Sequence, residues 1–160
     1  MKKNDISILM ADDDQDDCVL VKNAFAANLI ANRLSFVEDG EELMDYLYNR
    51  GRYSDKTLFP LPGLILLDLN MPRKDGHEAL REIKADHKLR RISVIVLTTS
   101  EREEEILRSY EIGANSFITK PVTFQGLVDA IKILSRYWFE IVKLPGKRPT
   151  IKNYKNTVST

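Results

Sequence analysis

The sequence predicts a doubly wound α/β fold: five parallel strands in the order 2-1-3-4-5, with helices on both faces of the sheet. Three observations carry that prediction. Short β-rich runs alternate along the chain with stretches of helical period. The third and fourth of these runs, 64–67 and 92–97, are almost uninterruptedly apolar, as strands covered on both faces must be. And a length of 160 residues supports one well-buried core but not two ordinary domains.

Residues 6–11 read as a buried strand that ends in a run of acids. Residues 15–28 have helical spacing, with Val19, Leu20 and Phe25 expected on the buried side. A second strand covers 34–37, and Asp39-Gly40 turns the chain into a helix over 41–49 that buries Leu43, Met44 and Leu47. Residues 51–62 have no period and are bounded by glycine and proline, so they form a loop. The third strand, 64–67, runs straight into Asp68, and the Asp75-Gly76 turn starts a helix over 77–87. The fourth strand is followed by a helix over 101–112 that stops at Gly113. The fifth strand covers 116–119 and the last, longest helix 123–142. On that helix Phe124, Leu127, Val128, Ile131, Leu134, Trp138 and Ile141 make a core face, which leaves Ile133, Tyr137 and Phe139 partly exposed.

Composition narrows the function classes. An apolar share of 43% and a charged share of 30% are those of a soluble globular protein. The sequence has no apolar run approaching the roughly 18 residues of a membrane helix, and its first residues lack a signal-peptide core. Cys18 is the only cysteine, so an internal disulfide is impossible and a reduced, cytoplasmic setting is expected. Net charge is zero, but five basic residues and no acids follow Val142, leaving residues 1–142 at −5. We therefore expect a domain over 1–145 and a basic, flexible tail over 146–160 rather than a nucleic-acid-binding face or a membrane partner.

In the 2-1-3-4-5 order the first and third strands are neighbours at the switch point, where ligands bind at carboxyl ends of strands. The first strand ends in Asp12-Asp13-Asp14 and the third in Asp68. Neighbouring strands lie about 4.8 Å apart, so these carboxylates share a small pocket. Two like charges about 4 Å apart repel by roughly 4 kcal/mol at an effective dielectric of 20, so the cluster calls for a cation or a proton. Carboxylate oxygens with few other ligands suit Mg²⁺. Thr98 ends the fourth strand and Lys120 follows the fifth, bringing a hydroxyl and an ammonium to the same edge. Metal, nucleophilic carboxylate, hydroxyl and lysine together are what phosphoryl transfer requires.

The stretches Ile8-Leu9-Met10-Ala11-Asp12-Asp13-Asp14, Leu66-Leu67-Asp68-Leu69-Asn70-Met71-Pro72 with Asp75-Gly76, Leu97-Thr98-Thr99-Ser100 and Ile118-Thr119-Lys120-Pro121 resemble the receiver domain of two-component signalling, over about residues 5–142. The resemblance implies the flavodoxin-like form of the sheet, with Asp68 as phosphoacceptor. It implies Mg²⁺ held by Asp13 and Asp68, with Asp12 acting largely through water and Asn70 through its backbone carbonyl. Thr98 is implied to bond the phosphoryl oxygen and Lys120 to pair with it, Thr98 and Phe117 to form the switch, and Lys120–Pro121 to be a cis peptide. Phe117 has no phenolic hydroxyl, so a switch using one is unavailable.

A finer resemblance, to the stand-alone regulators of phytochrome-type histidine kinases, rests on the 51–62 loop, Leu97-Thr98-Thr99-Ser100, Arg108-Ser109-Tyr110-Glu111 and the ending Tyr137-Trp138-Phe139-Glu140-Ile141-Val142-Lys143-Leu144-Pro145. It implies a sensor kinase as partner and a homodimer through the fourth helix, fifth strand and fifth helix. With only a tail after Val142, output is expected through a downstream protein or phosphotransfer partner in a phosphorelay, and no enzyme activity beyond the protein's own phosphorylation and dephosphorylation. Two other readings are weaker. A receiver-fold interaction module without phosphorylation would have a broken acid set or no lysine. An aspartate-nucleophile phosphatase would have a second aspartate where Asn70 stands. Asp12, Asp14 and Asp16 lack the glycine and glutamate of a calcium loop. His77 and His87 are expected on the surface, and Cys18 as a small buried hydrophobe.

Overall fold

The computed structural model of the chain describes residues 6–141. The expected tail over 146–160 and the Val142–Pro145 ending lie outside the described residues. The order of elements is β1 (Ile8–Ala11), α1 (Gln15–Ala27), β2 (Leu34–Val37), α2 (Gly40–Leu47), β3 (Leu64–Leu67), α3 (Gly76–Ala85), β4 (Ser93–Thr98), α4 (Glu103–Ile112), β5 (Ser116–Thr119) and α5 (Phe124–Ser135). A single π-helical turn, Arg136–Ile141, continues α5. All strand pairings are parallel and the order is β2-β1-β3-β4-β5, as the sequence predicts.

Alternation along each strand sends residues to two cores. Leu9, Ala11, Ile65, Leu67, Val94 and Val96 face α2 and α3, with Leu43, Met44, Leu80 and Ile83 packed beneath them. Ile8, Met10, Leu64, Leu66, Ile95 and Leu97 face α1 and α5, against Val21, Phe25, Leu127 and Ile131. The central strands β1, β3 and β4 are buried along their whole length, whereas β5, at the sheet edge, is half-buried throughout. Asn28 ties the α1–α5 layer by donating from Nδ2 to the carbonyls of Ala24 and Val128, each at 2.9 Å.

Several expectations change. On α1 the buried residues are Cys18, Val21, Ala24 and Phe25, while Val19 and Leu20 are exposed. The small residues Cys18 and Ala24 complete the buried stripe, and a reading based on large apolar residues gives its phase wrongly. The loop after α2 contains a 3₁₀ turn, Gly51–Tyr53, held by a cluster of Tyr46, Tyr53 and Phe59 with ring centroids 4.9–5.7 Å apart. At the end of the last helix the i→i+5 bonding of the π turn takes more residues per turn than the α pattern, so the stripe shifts there. Phe139 is buried beside Trp138, and Phe124 and Ile141 are exposed, although Ile133 and Tyr137 are exposed as expected. Lys120–Pro121 is trans, since no cis peptide occurs among the described residues. His77 is buried rather than on the surface, because α3 and α4 close over it.

Candidate functional site

Parallel register brings the strand ends together. Ala11 pairs with Leu67, and the next residue on each strand is an acid, Asp12 or Asp68. Backbone bonds fix both ends: Asp68 N–H donates to the Ala11 carbonyl at 2.9 Å, and Asp12 N–H to that of Val37 at 3.0 Å. On the other side, Lys120 N–H donates to the Thr98 carbonyl at 2.7 Å. Four expected residues, Asp12, Asp68, Thr98 and Lys120, therefore leave a single edge of the sheet. They are held there by the ladder itself rather than by flexible loops.

Carboxylate oxygens of Asp12, Asp13 and Asp68 lie within 4.8 Å of one another. Asp12 and Asp68 are buried and Asp13 is exposed, so the cluster is walled below and open above. Burial raises the Asp12 carboxyl to about 6, against the lowering effect of Lys120 and of the Asp14 N–H that bonds its Oδ1 at 2.9 Å. Lys120 Nζ donates to Asp12 Oδ2 at 2.6 Å and to Asp17 Oδ2 at 2.7 Å, and stands 3.7 Å from Asp68 Oδ2. Burial works against the ammonium, but its hydrogen bonds to Asp12 and Asp17 and the charge of Asp68 prevail and raise its pKa.

Gly76 fixes the height of the Asp68 loop. A Cβ there would stand 2.4 Å from the Asp68 carbonyl oxygen and 2.7 Å from Leu69 Cα. The glycine is required for close approach of α3 to the end of β3, since Asp75 is the helix N-cap and accepts from Glu78 N–H. Asn70, expected to offer its carbonyl, is exposed, and its N–H reaches Asp68 Oδ1 at 3.5 Å. The Thr98 hydroxyl is buried and has no hydrogen-bond partner among the described residues. Phe117, on β5, is half-buried against the α2–α3 core, and its N–H donates to the Tyr110 hydroxyl at 3.1 Å.

Asp17 is the residue that sequence reasoning missed. Its only signal was an acid in the first turn of a helix, which ordinarily serves the helix dipole. The partner that gives it a role is 103 positions away. Asp14 and Asp16, grouped with it in sequence, do other things: Asp14 caps α1 by accepting from the N–H groups of Asp16 and Asp17. Cys18 is buried as expected, with burial raising its thiol to about 11.

The carboxylate set suits a hard divalent cation, and the buried, partnerless Thr98 hydroxyl beside it is a donor awaiting an acceptor. Residues 8–132 match the family model of the response regulator receiver domain. The chain belongs to this receiver family. Among relatives, response regulator Rcp1 of Synechocystis sp. is 39% identical over 138 residues, covering 86% of this chain and 92% of that one. The phosphorylated cyanobacterial phytochrome response regulator RcpA matches the receiver with a TM-score of 0.82 at 38% identity, over 89% of this chain and 99% of its own. Response regulator RPA3017, from red light signaling of R. palustris, matches with a TM-score of 0.84 at 38% identity, over 89% and 99%. A structure of Rcp1 is of its Mn²⁺-bound form, with a TM-score of 0.80 at 38% identity over 88% and 99%. Receivers take a phosphoryl group on an aspartate and bind a divalent metal in an acidic pocket, and this receiver has such a pocket. No helix among the described residues is long and apolar enough to cross a membrane.

Proposed function

We propose that this receiver accepts a phosphoryl group on Asp68 from the phosphohistidine of a sensor kinase, with Mg²⁺ as its metal. The observation that carries the reading is the closure of the three-carboxylate cluster by Lys120. Asp68 Oδ attacks phosphorus, the P–N bond to the imidazole breaks with its electron pair returning to nitrogen, and an acyl phosphate forms. Asp12, Asp13 and Asp68 would hold the metal, with Asn70 adding its carbonyl, and when bound Mg²⁺ supplies positive charge for the phosphoryl oxygens. Lys120 neutralises phosphoryl charge from the opposite side. The Thr98 hydroxyl, buried without a partner, turns to a phosphoryl oxygen. Phe117, two residues before Thr119 on the paired strand, then packs inward, altering the α4–β5–α5 surface.

That surface would work by contact with another protein. It exposes Leu107, Tyr110, Phe124, Ile133 and Tyr137, which suits a homodimer. A reduced, cytoplasmic setting fits the lone cysteine, the likeness to the phytochrome response regulator RcpA supports a phytochrome-type kinase as partner, and a phosphotransfer or downstream partner would complete the relay. The domain would span 1–145, with 146–160 as a basic tail, and catalysis would be limited to its own phosphorylation state.

The test is intact mass after incubation with acetyl phosphate and Mg²⁺. One phosphoryl adduct is expected, absent in Asp68→Asn and after chelation with EDTA. No adduct on the wild type, or an undiminished adduct on Asp68→Asn, would refute the assignment. The first result would favour an interaction module that works without phosphorylation.

A further inference from the structure

We propose that Asp17 is a positioning residue: it anchors the Lys120 ammonium so that the one remaining N–H is directed at Asp68 and the phosphoryl group it receives. This rests on the reading of Asp68 as the phosphoacceptor. An ammonium has three N–H donors and no acceptor. Two are taken here, by Asp12 Oδ2 at 2.6 Å and by Asp17 Oδ2 at 2.7 Å. The third side of Nζ has Asp68 Oδ2 at 3.7 Å, an ion-pair distance beyond a hydrogen bond. That gap leaves the acceptor oxygen free to attack, and it is of the size that a phosphoryl oxygen would close.

A lysine on its own is poorly suited to this work. Its four-carbon stem is flexible, and the head is a strongly hydrated point charge. Two anchors from different elements fix it: Asp12 from the end of β1 and Asp17 from the first turn of α1. The two anchors are not equivalent. Asp12 belongs to the carboxylate set that can hold a metal, whereas Asp17 does not. When Asp12 shares its charge with a cation, Asp17 is the anchor that keeps its full charge for Lys120. Asp17 is itself held, because the Asp14 side chain accepts from its N–H at 3.3 Å and so fixes the turn that carries it. Its side chain is 27% exposed against 10% for Lys120, so the pair is shielded from bulk water without being sealed off.

The experiment measures the rate of adduct formation from acetyl phosphate with saturating Mg²⁺, alongside the Lys120 ammonium resonance in ¹H–¹⁵N spectra tuned to lysine side chains. Asp17→Asn should slow adduct formation about tenfold, the scale of one charge-assisted hydrogen bond, and move or broaden the Lys120 resonance. Asp17→Glu should recover much of the rate. Asp16→Asn, an exposed neighbour on the same turn, should stay within about twofold of wild type. A wild-type or faster rate in Asp17→Asn overturns the proposal, and so does a slower rate with the Lys120 resonance unmoved. If the wild type forms no adduct, the assignment of Asp68 fails, and the resonance alone decides whether Asp17 anchors Lys120.

Discussion

The Thr98 hydroxyl is fully buried with no partner among the described residues, a condition that costs about 1–3 kcal/mol in a protein interior. On the proposed reading of the site, that cost falls in the unphosphorylated state and is relieved when the phosphoryl group brings an acceptor. Replacing Thr98 by Val removes the orphaned group while keeping the branched shape. The unphosphorylated variant should be more stable by about 1 kcal/mol, read as a higher urea midpoint at an unchanged slope. A midpoint equal to or below that of wild type would show that the hydroxyl is satisfied in solution. Asp12 is a second residue held at a cost, with its carboxyl raised to about 6 by burial. Both burdens fall on the same sheet edge, where local stability is given up for chemistry.

At the scale of elements, α3 and α4 are joined by a buried polar contact. The Ser109 hydroxyl donates to the Glu105 carbonyl at 2.7 Å, so His77 donates to it through Nε2, at 2.9 Å. Burial, and then the charge of Arg108, lower the His77 pKa from its ordinary 6.5. The unfolded chain therefore binds this proton more readily than the folded one, and His77 makes the protein lose stability as pH falls below 6.5. Asp12 acts in the opposite sense. Its folded pKa of about 6 lies above the ordinary 3.8, so its protonation adds stability as pH falls through that window. The difference between wild type and His77→Gln isolates the histidine. Urea midpoints from pH 7.5 to about pH 5 should fall more steeply for the wild type. Parallel profiles for the two proteins would contradict a buried, neutral His77. The π turn after α5 is the other element-scale feature, since it buries Phe139 and turns Ile141 outward. Neither the histidine contact nor the π turn has a periodic signature, and this is why the reading of single elements misplaced His77 and Phe139.

At the scale of the whole molecule, the α4–β5–α5 side combines an edge strand with exposed Leu107, Tyr110, Ile133 and Tyr137. An edge strand beside apolar side chains is a natural surface for self-association. Sedimentation velocity with and without beryllofluoride and Mg²⁺ should find a dimer, whereas a monomer at all concentrations in both states would exclude it. Replacing Ile133 by Glu should weaken that dimer without unfolding the protein, because Ile133 is 69% exposed.

The order of strands, the two-sided burial of β3 and β4, and the convergence of Asp12, Asp68, Thr98 and Lys120 on one edge were all legible in the sequence. Apolar periodicity reports burial, and burial together with parallel crossovers leaves few topologies. Each of those four residues could be placed because it ends a strand or directly follows one. What required the tertiary structure was every contact between elements distant in sequence. These are the Asp17–Lys120 pair, the His77–Ser109 contact between α3 and α4, the close approach that demands Gly76, and the missing partner of Thr98. Period and composition describe each element's own environment and carry no record of which side chains meet across a gap of a hundred residues. In this receiver the sequence determined which residues stand at the sheet edge, and the packing of α1, α3 and α4 against that edge decided how they are held.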